Sequence, residues 1–388
     1  MLGLLGATPV AAGAVLAMPG IAQAESTLHG RIPKALRPGG EYDQFIAYLA
    51  GQDQFSGIVL LSYRGRPVLE RAYGMANKDA SIPNQMDTLF GLGSINKCFT
   101  AVAVMQLAQE GKISFHEKLG AYLDGFPAEI ADAVTVHQLL THTAGVGRPA
   151  KTMEPPTQEE LSWDSIEEVW EGNLTIIRGL PLRFVPGTRY QYSNDGFIVL
   201  GAIIQAASNQ NYYDYIREHV LTPAGMARTG FYTRPDVLSA YDIARPYALD
   251  RMSGERFDFT TSERFSFVGT PAGGAYSTVG ELLKFVRALG QDGPLLGAAF
   301  VDLATSGKTV VPPEGERDPW LQGSFYGYGF GASIFNSRRL FGHTGGGPGV
   351  GDSYNVYPDL DWVSVILGNY EEAAKPIVGL ERRLITQQ

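Results

Sequence analysis

The stretch GLGSINKCFTAVAVMQLAQEG, residues 91–111, has a serine and a lysine at its head and a largely apolar run behind them. Ser94 stands where a helix cap belongs and Gly111 where helices stop, so a helix is predicted from Ser94 to Glu110. Ile95, Cys98, Phe99, Val102, Val104, Met105 and Leu107 cover nearly its whole circumference. A helix apolar all round is buried, so the rest of the chain must wrap around this one. Residues three apart share a helical face, which sets the Ser94 hydroxyl beside the Lys97 amine. The partial positive charge of a helix N-terminus and the cost of burying an ammonium both favour neutral lysine. Such a lysine can take a proton from serine and make it a nucleophile. Taken alone, S-x-x-K reads equally as a capping serine with a solvated lysine. Here the apolar helix leaves Lys97 no watery face, and Gly91 and Gly93 permit close backbone approach.

Strand signals lie towards both chain ends. Gly57-Ile-Val-Leu-Leu-Ser-Tyr63 reads as a buried strand, Arg64-Gly65-Arg66-Pro67 as a turn, and Val68–Tyr73 as the returning strand. Tyr328–Phe335, Arg339–His343, Asp352–Tyr357 and Trp362–Leu367 are aromatic or β-branched runs whose short spacings favour antiparallel pairing. Helical spacing appears at 41–50, Val134–Thr141, Phe197–Ala207, Tyr213–Leu221, Thr278–Leu289 and Glu371–Thr386. Residues 151–165 and 306–323 read as surface loops, and 236–270 show no clear period. The simplest architecture is α/β (α+β): one antiparallel sheet from both chain ends, flanked by helices, with a mainly helical domain inserted. The corresponding division is 25–115 with 271–388 for the sheet domain and 116–270 for the helical one.

Bulk composition narrows the function. The chain has 388 residues, 44% hydrophobic and 18% charged, which is ordinary globular usage and more than one core usually supports. A net charge of -9 argues against a nucleic-acid partner. With Cys98 the single cysteine, no internal disulfide can form. Met1–Ala24 has a short apolar run, Val10–Met18, followed by Pro19, Gly20 and Ala22-Gln-Ala24; it reads as a signal peptide, although no lysine or arginine precedes Arg31. A periplasmic or secreted protein is expected, with no membrane span in the mature chain.

Two more segments can do chemistry. Phe184-Val-Pro-Gly-Thr-Arg-Tyr-Gln-Tyr192-Ser-Asn194 offers a phenol and an amide that share one side if the backbone is extended; a turn with Asn194 capping a helix is the competing reading. Gly342-His343-Thr344-Gly345-Gly346-Gly347-Pro-Gly349 ends a strand, and its glycines can expose N–H groups to an anionic oxygen. It is otherwise a glycine-rich turn, and no Lys-Ser or Lys-Thr follows to make it a phosphate loop. No H-E-x-x-H occurs, and no metal or cofactor is expected. No G-x-S-x-G nucleophile elbow occurs either. His142 reads as structural, in a helix-to-turn segment away from these motifs, and Cys98 as core.

The order Ser94/Lys97, Tyr192/Asn194, His343/Thr344/Gly345 resembles the serine β-lactamase and penicillin-binding fold, above all the class C-like hydrolases that include esterases, transesterases and D-amino-acid peptidases. The likeness spans about residues 41–370 and extends to Leu139-Leu-Thr-His-Thr-Ala-Gly145, Pro186-Gly-Thr188, Pro223-Ala-Gly-Met226, Pro271-Ala-Gly-Gly274 and Tyr326-Gly-Tyr-Gly329. It implies Ser94 as nucleophile, Lys97 and Tyr192 sharing acid–base work, Asn194 positioning substrate, and His343, Thr344, Gly345 and Gly346 lining the substrate strand. It also implies an oxyanion hole from the N–H groups of Ser94 and Gly346. The sequence departs from that pattern at His343, where the family usually carries lysine; histidine titrates near neutrality, so a carboxylate-bearing substrate loses a permanent cation. No glutamate four residues before an asparagine appears in 150–180, so Tyr192 and Lys97 are the simpler agents of deacylation. The expected function is hydrolysis of a small ester or amide through an acyl-enzyme on Ser94. A carboxylesterase comes first, a D-amino-acid-type peptidase or β-lactamase second. The alternative of another class is a non-catalytic protein binding a peptide or cell-wall fragment, against which the intact Ser94, Lys97 and Tyr192 set speaks.

Overall fold

Strand β1, Gly57–Tyr63, sends successive side chains to opposite faces of the sheet, and both faces are covered. Ile58 and Leu60 enter one core with the buried helix, while Val59 and Leu61 enter a second core on the other face. Burial on both sides is why this strand reads as an unbroken apolar run rather than an alternating one. The computed structural model describes residues 32–148, 157–290, 293–313, 315 and 318–388, so the signal-like segment Met1–Ala24 lies outside the described residues.

From β1 the chain turns into β2 (Arg66–Tyr73), and six later strands complete an eight-stranded sheet. They are β3 (Thr309–Val310), β4 (Leu321–Tyr326), β5 (Gly331–Phe335), β6 (Arg338–Gly347), β7 (Val350–Tyr357) and β8 (Trp362–Gly368). The order is β2-β1-β8-β7-β6-β5-β4-β3, antiparallel throughout. The two chain ends meet where β1 pairs with β8, from Gly57↔Gly368 to Tyr63↔Trp362. The expected sheet built from both termini is therefore present.

Helix α1 (Glu41–Gly51) covers one face with Tyr42, Ile46 and Leu49, joined there by Ile377 and Ile385 of the C-terminal helix. Against the opposite face packs α2 (Lys97–Gln109), preceded by a 3-10 turn over Gly93–Asn96. Every residue from Lys97 to Met105 is buried, as its all-round apolarity requires. Around α2 gather α3 (Val136–Leu140), closed by a Thr135/Gln138 capping box, α4 (Ile166–Arg178) and α5 (Asn194–Ser208). Among the described residues no helix is long and apolar enough to cross a membrane.

Three expectations need correction. The segment read as a loop at 306–323 contributes β3 and begins β4. These are outer strands whose mixed polar sequence carries no buried-strand signal. The strand expected from Tyr328 starts instead at Gly331, because Tyr328 lies in the turn between β4 and β5. The helix pattern at Tyr213–Leu221 is one α-turn, Tyr212–Tyr215, continued as a π-helix over Ile216–Leu221.

Candidate active site

Ser94 does not cap the helix. It sits inside the 3-10 turn Gly93–Asn96, and Asn96, not Ser94, holds the N-cap position of α2. Lys97 follows one turn later, and its Nζ lies 3.1 Å from Ser94 Oγ. The same nitrogen stands 2.8 Å from Asn194 Oδ1 and 2.5 Å from the Ala272 carbonyl. Lys97 is fully buried, and burial brings its pKa down from the ordinary lysine range to about 7. Both carbonyl oxygens are acceptors only. Burial lowers the cost of losing the Lys97 proton, so near neutrality the amine is poised to exchange a proton with the adjacent Ser94 hydroxyl.

The Tyr192 segment arrives from the far side. Ser193, not Asn194, caps α5: its side chain accepts from Gly196 N, leaving Asn194 as the first helical residue. Asn194 reaches Lys97, while the Tyr192 phenol lies near Ser94 and Lys97 Nζ stands 4.9 Å from the Tyr192 ring centre. Burial raises the Tyr192 pKa above the ordinary phenol range, so it remains a phenol at neutral pH.

Strand β6 supplies the third wall. Its pairing with β5 ends at Gly331↔Gly342, but its pairing with β7 continues to Gly347↔Val350. Residues 343–347 thus have an edge that β5 does not cover, and Thr344, Gly346 and Gly347 are exposed. This edge lies against the serine turn. A Cβ on Gly93, whose φ is +46°, would stand 2.8 Å from the Gly346 nitrogen, and one on Gly345 would stand 2.2 Å from the Leu92 carbonyl. The glycines read as ending a strand are strand residues through Gly347, and they let two backbones touch. Gly345→Ala is expected to push the Ser94 turn off the strand, lowering the thermal midpoint by several degrees and any turnover through Ser94 at least tenfold. Thermal unfolding and initial-rate assays would show it, and a variant matching the parent in both would contradict the close approach.

His343 behaves differently from the expectation. Its Nδ1 lies 2.7 Å from the Thr344 carbonyl, which can only accept, so Nδ1 carries the proton. Nε2 then accepts from the Tyr326 hydroxyl at 2.9 Å. Burial, with Lys97 nearby, pushes its pKa down to about 4. The residue type suggested titration near neutrality; desolvation keeps the ring neutral instead.

By its position in the sequence, His142 lies away from the motifs. It is in fact buried against the Tyr192 ring, with centroids 4.2 Å apart, and against Tyr326 at 4.5 Å. Its φ of +58° is the unusual backbone feature here, and nothing in local periodicity announces it.

An antiparallel sheet faced by helices, with a serine and a buried lysine at the head of the central helix and a phenol on the opposing wall, defines a serine hydrolase. A family model described as Beta-lactamase matches residues 42–386, and the chain belongs to that family. Penicillin-binding protein 4* of Bacillus subtilis (strain 168) is 29% identical over 340 residues, covering 84% of this chain and 70% of that protein. Esterase EstB of Burkholderia gladioli is 27% identical over 307 residues, covering 74% of this chain and 76% of the esterase. The crystal structure of a penicillin binding protein from Bacillus halodurans superposes with a TM-score of 0.72 at 28% identity, covering 87% of this chain and 99% of that one. The chain is thus a β-lactamase-fold serine hydrolase.

Proposed function

We propose that this protein is a carboxylesterase working through an acyl-enzyme on Ser94. Lys97 Nζ takes the Ser94 proton as Oγ attacks the substrate carbonyl carbon. The N–H groups of Ser94 and Gly346 hold the resulting oxyanion, each worth on the order of 3 kcal/mol. Tyr192, beside Ser94, gives its hydroxyl proton to the departing alkoxide, which leaves as an alcohol, and takes the proton held by Lys97 in its place, restoring the neutral amine. Asn194 orients Lys97 and, with Thr344 and Gly345, borders the substrate. Water then enters by the reverse route, the same base taking its proton, and releases the acid.

One observation carries the choice of ester: His343, where the resembling family usually has lysine, is a neutral ring with both nitrogens engaged. It presents no fixed cation to a substrate carboxylate. The likeness to an esterase supports this reading, while the likeness to penicillin-binding proteins keeps a D-amino-acid-type peptidase or β-lactamase as the second. A charge-assisted hydrogen bond contributes roughly 1.5–3 kcal/mol, or about tenfold to a hundredfold. A neutral short-chain nitrophenyl ester should therefore exceed a D-alanyl-D-alanine peptide and a chromogenic cephalosporin in kcat/KM by at least that factor, and His343→Lys should narrow the gap. Equal turnover of the peptide by the parent enzyme would move the assignment to a peptidase. The leader-like Met1–Ala24 supports a periplasmic or secreted location for this activity.

A further inference from the structure

The backbone on both sides of Tyr192 is held by one residue. Gln191 N donates to the His142 carbonyl at 2.9 Å, and Ser193 N donates to His142 Nδ1 at 3.1 Å. The imidazole between those bonds lies on the Tyr192 ring at 4.2 Å with an interplanar angle of 36°. Phe197, Tyr326 and Tyr190 also pack against it, at 5.1 Å, 4.5 Å and 6.0 Å between centroids. We infer that His142 is the positioning residue for Tyr192, fixing its phenol at Ser94 by clamping the flanking amides and stacking on the ring. This rests on the reading of Tyr192 as the proton relay.

The clamp is itself anchored. His142 follows Thr141, the C-cap of α3, and Thr143 N donates back into that helix at Gln138 O, 2.9 Å away. Ser193 Oγ donates to Val146 O at 2.8 Å, and Gly187 N to Thr143 O at 2.8 Å, so the segments 142–146 and 187–193 run bound together. The left-handed backbone at His142, φ +58°, turns carbonyl and ring nitrogen to the same neighbour. Histidine, asparagine and glycine tolerate that conformation, whereas alanine or leucine there is strained. A buried apolar residue would fill the space but offer no acceptor to Ser193 N, leaving a buried amide unpaired.

The chemistry separates a positioning role from simple packing. His142→Asn keeps an acceptor in the place of Nδ1 and suits the backbone; His142→Gly suits the backbone but removes acceptor and ring. The Gly variant is expected to lose roughly tenfold to a hundredfold in kcat, with KM within about twofold, because a misplaced proton relay slows chemistry more than binding. The Asn variant should stay within about threefold of the parent. In a Tyr192→Phe background, His142→Gly should cost less than about threefold further, since its effect passes through a hydroxyl already gone. The same factor lost in both backgrounds overturns the inference, as does an Asn variant no better than Gly. If the Gly variant does not fold, the Asn variant decides alone: activity within about threefold of the parent supports the clamp, and a loss beyond about tenfold refutes it. Full activity of Tyr192→Phe itself would instead remove Tyr192 from the mechanism, an outcome read from a different variant.

Discussion

Ser94→Ala is expected to remain folded and to lose acyl transfer by a factor on the order of 10⁵ to 10⁶, the scale seen when a hydrolase loses a serine that acts as one unit with its base. The fold should survive because Ser94 caps nothing and is only partly buried. Its hydroxyl is engaged by Lys97 at 3.1 Å, not by the hydrophobic core. The variant should keep the parent's circular dichroism and melt within a few degrees of it. A fluorophosphonate should raise the mass of the parent by one adduct and leave the variant unchanged. A labelled and active alanine variant would place the nucleophile elsewhere and remove the basis of the proposed function.

Replacing Lys97 with methionine should reduce kcat/KM by roughly 10²- to 10⁴-fold, the usual worth of a positioned general base. It should also change the pH dependence of activity and stability together. In the parent, kcat/KM should rise as Lys97 loses its proton through about pH 7 and level off above it. His343, pushed down to about 4, stays neutral across that range and adds no limb of its own. The sign for stability follows from the same depressed value. Between about pH 7 and the ordinary lysine value of 10.5, the unfolded chain binds a proton that the folded chain does not. Stability from this group therefore rises with pH across that window. Below about pH 7 the buried amine is charged in the fold and its desolvation cost is fully present. Lys97→Met removes that cost, so its stability relative to the parent should be greatest near pH 6 and shrink towards pH 10. Denaturant titrations at both ends of this range would measure the change, and a difference that grows with pH would mean the buried lysine is charged at neutrality.

The legible part of the site was the part made by near neighbours. Ser94 and Lys97 are three residues apart, so helical geometry alone puts hydroxyl and amine together. The strand–turn–strand at 57–73 carries its pattern in adjacent residues, and its bounds agree closely with β1 and β2. Asn194 and Lys97 are separated by 97 positions, and only the ordered likeness of three motifs suggested that they meet. His142 was misplaced for the same reason: it is 51 residues from Ser193, and its contacts leave no periodic trace.

By itself, the sequence determined a buried central helix with a serine and an amine at its head, sheet strands at both chain ends, and the types of side chain available for catalysis. Only the tertiary structure decided their state. It brings Ala272 O and Asn194 Oδ1 to Lys97, closes the serine turn onto Gly345 and Gly346, and sets His142 beside Tyr192. It also turns His343 from a group that titrates near neutrality into a neutral ring. The reason is physical. Periodicity and capping act between adjacent residues, whereas desolvation and hydrogen-bond partners depend on which distant segments exclude water from a side chain.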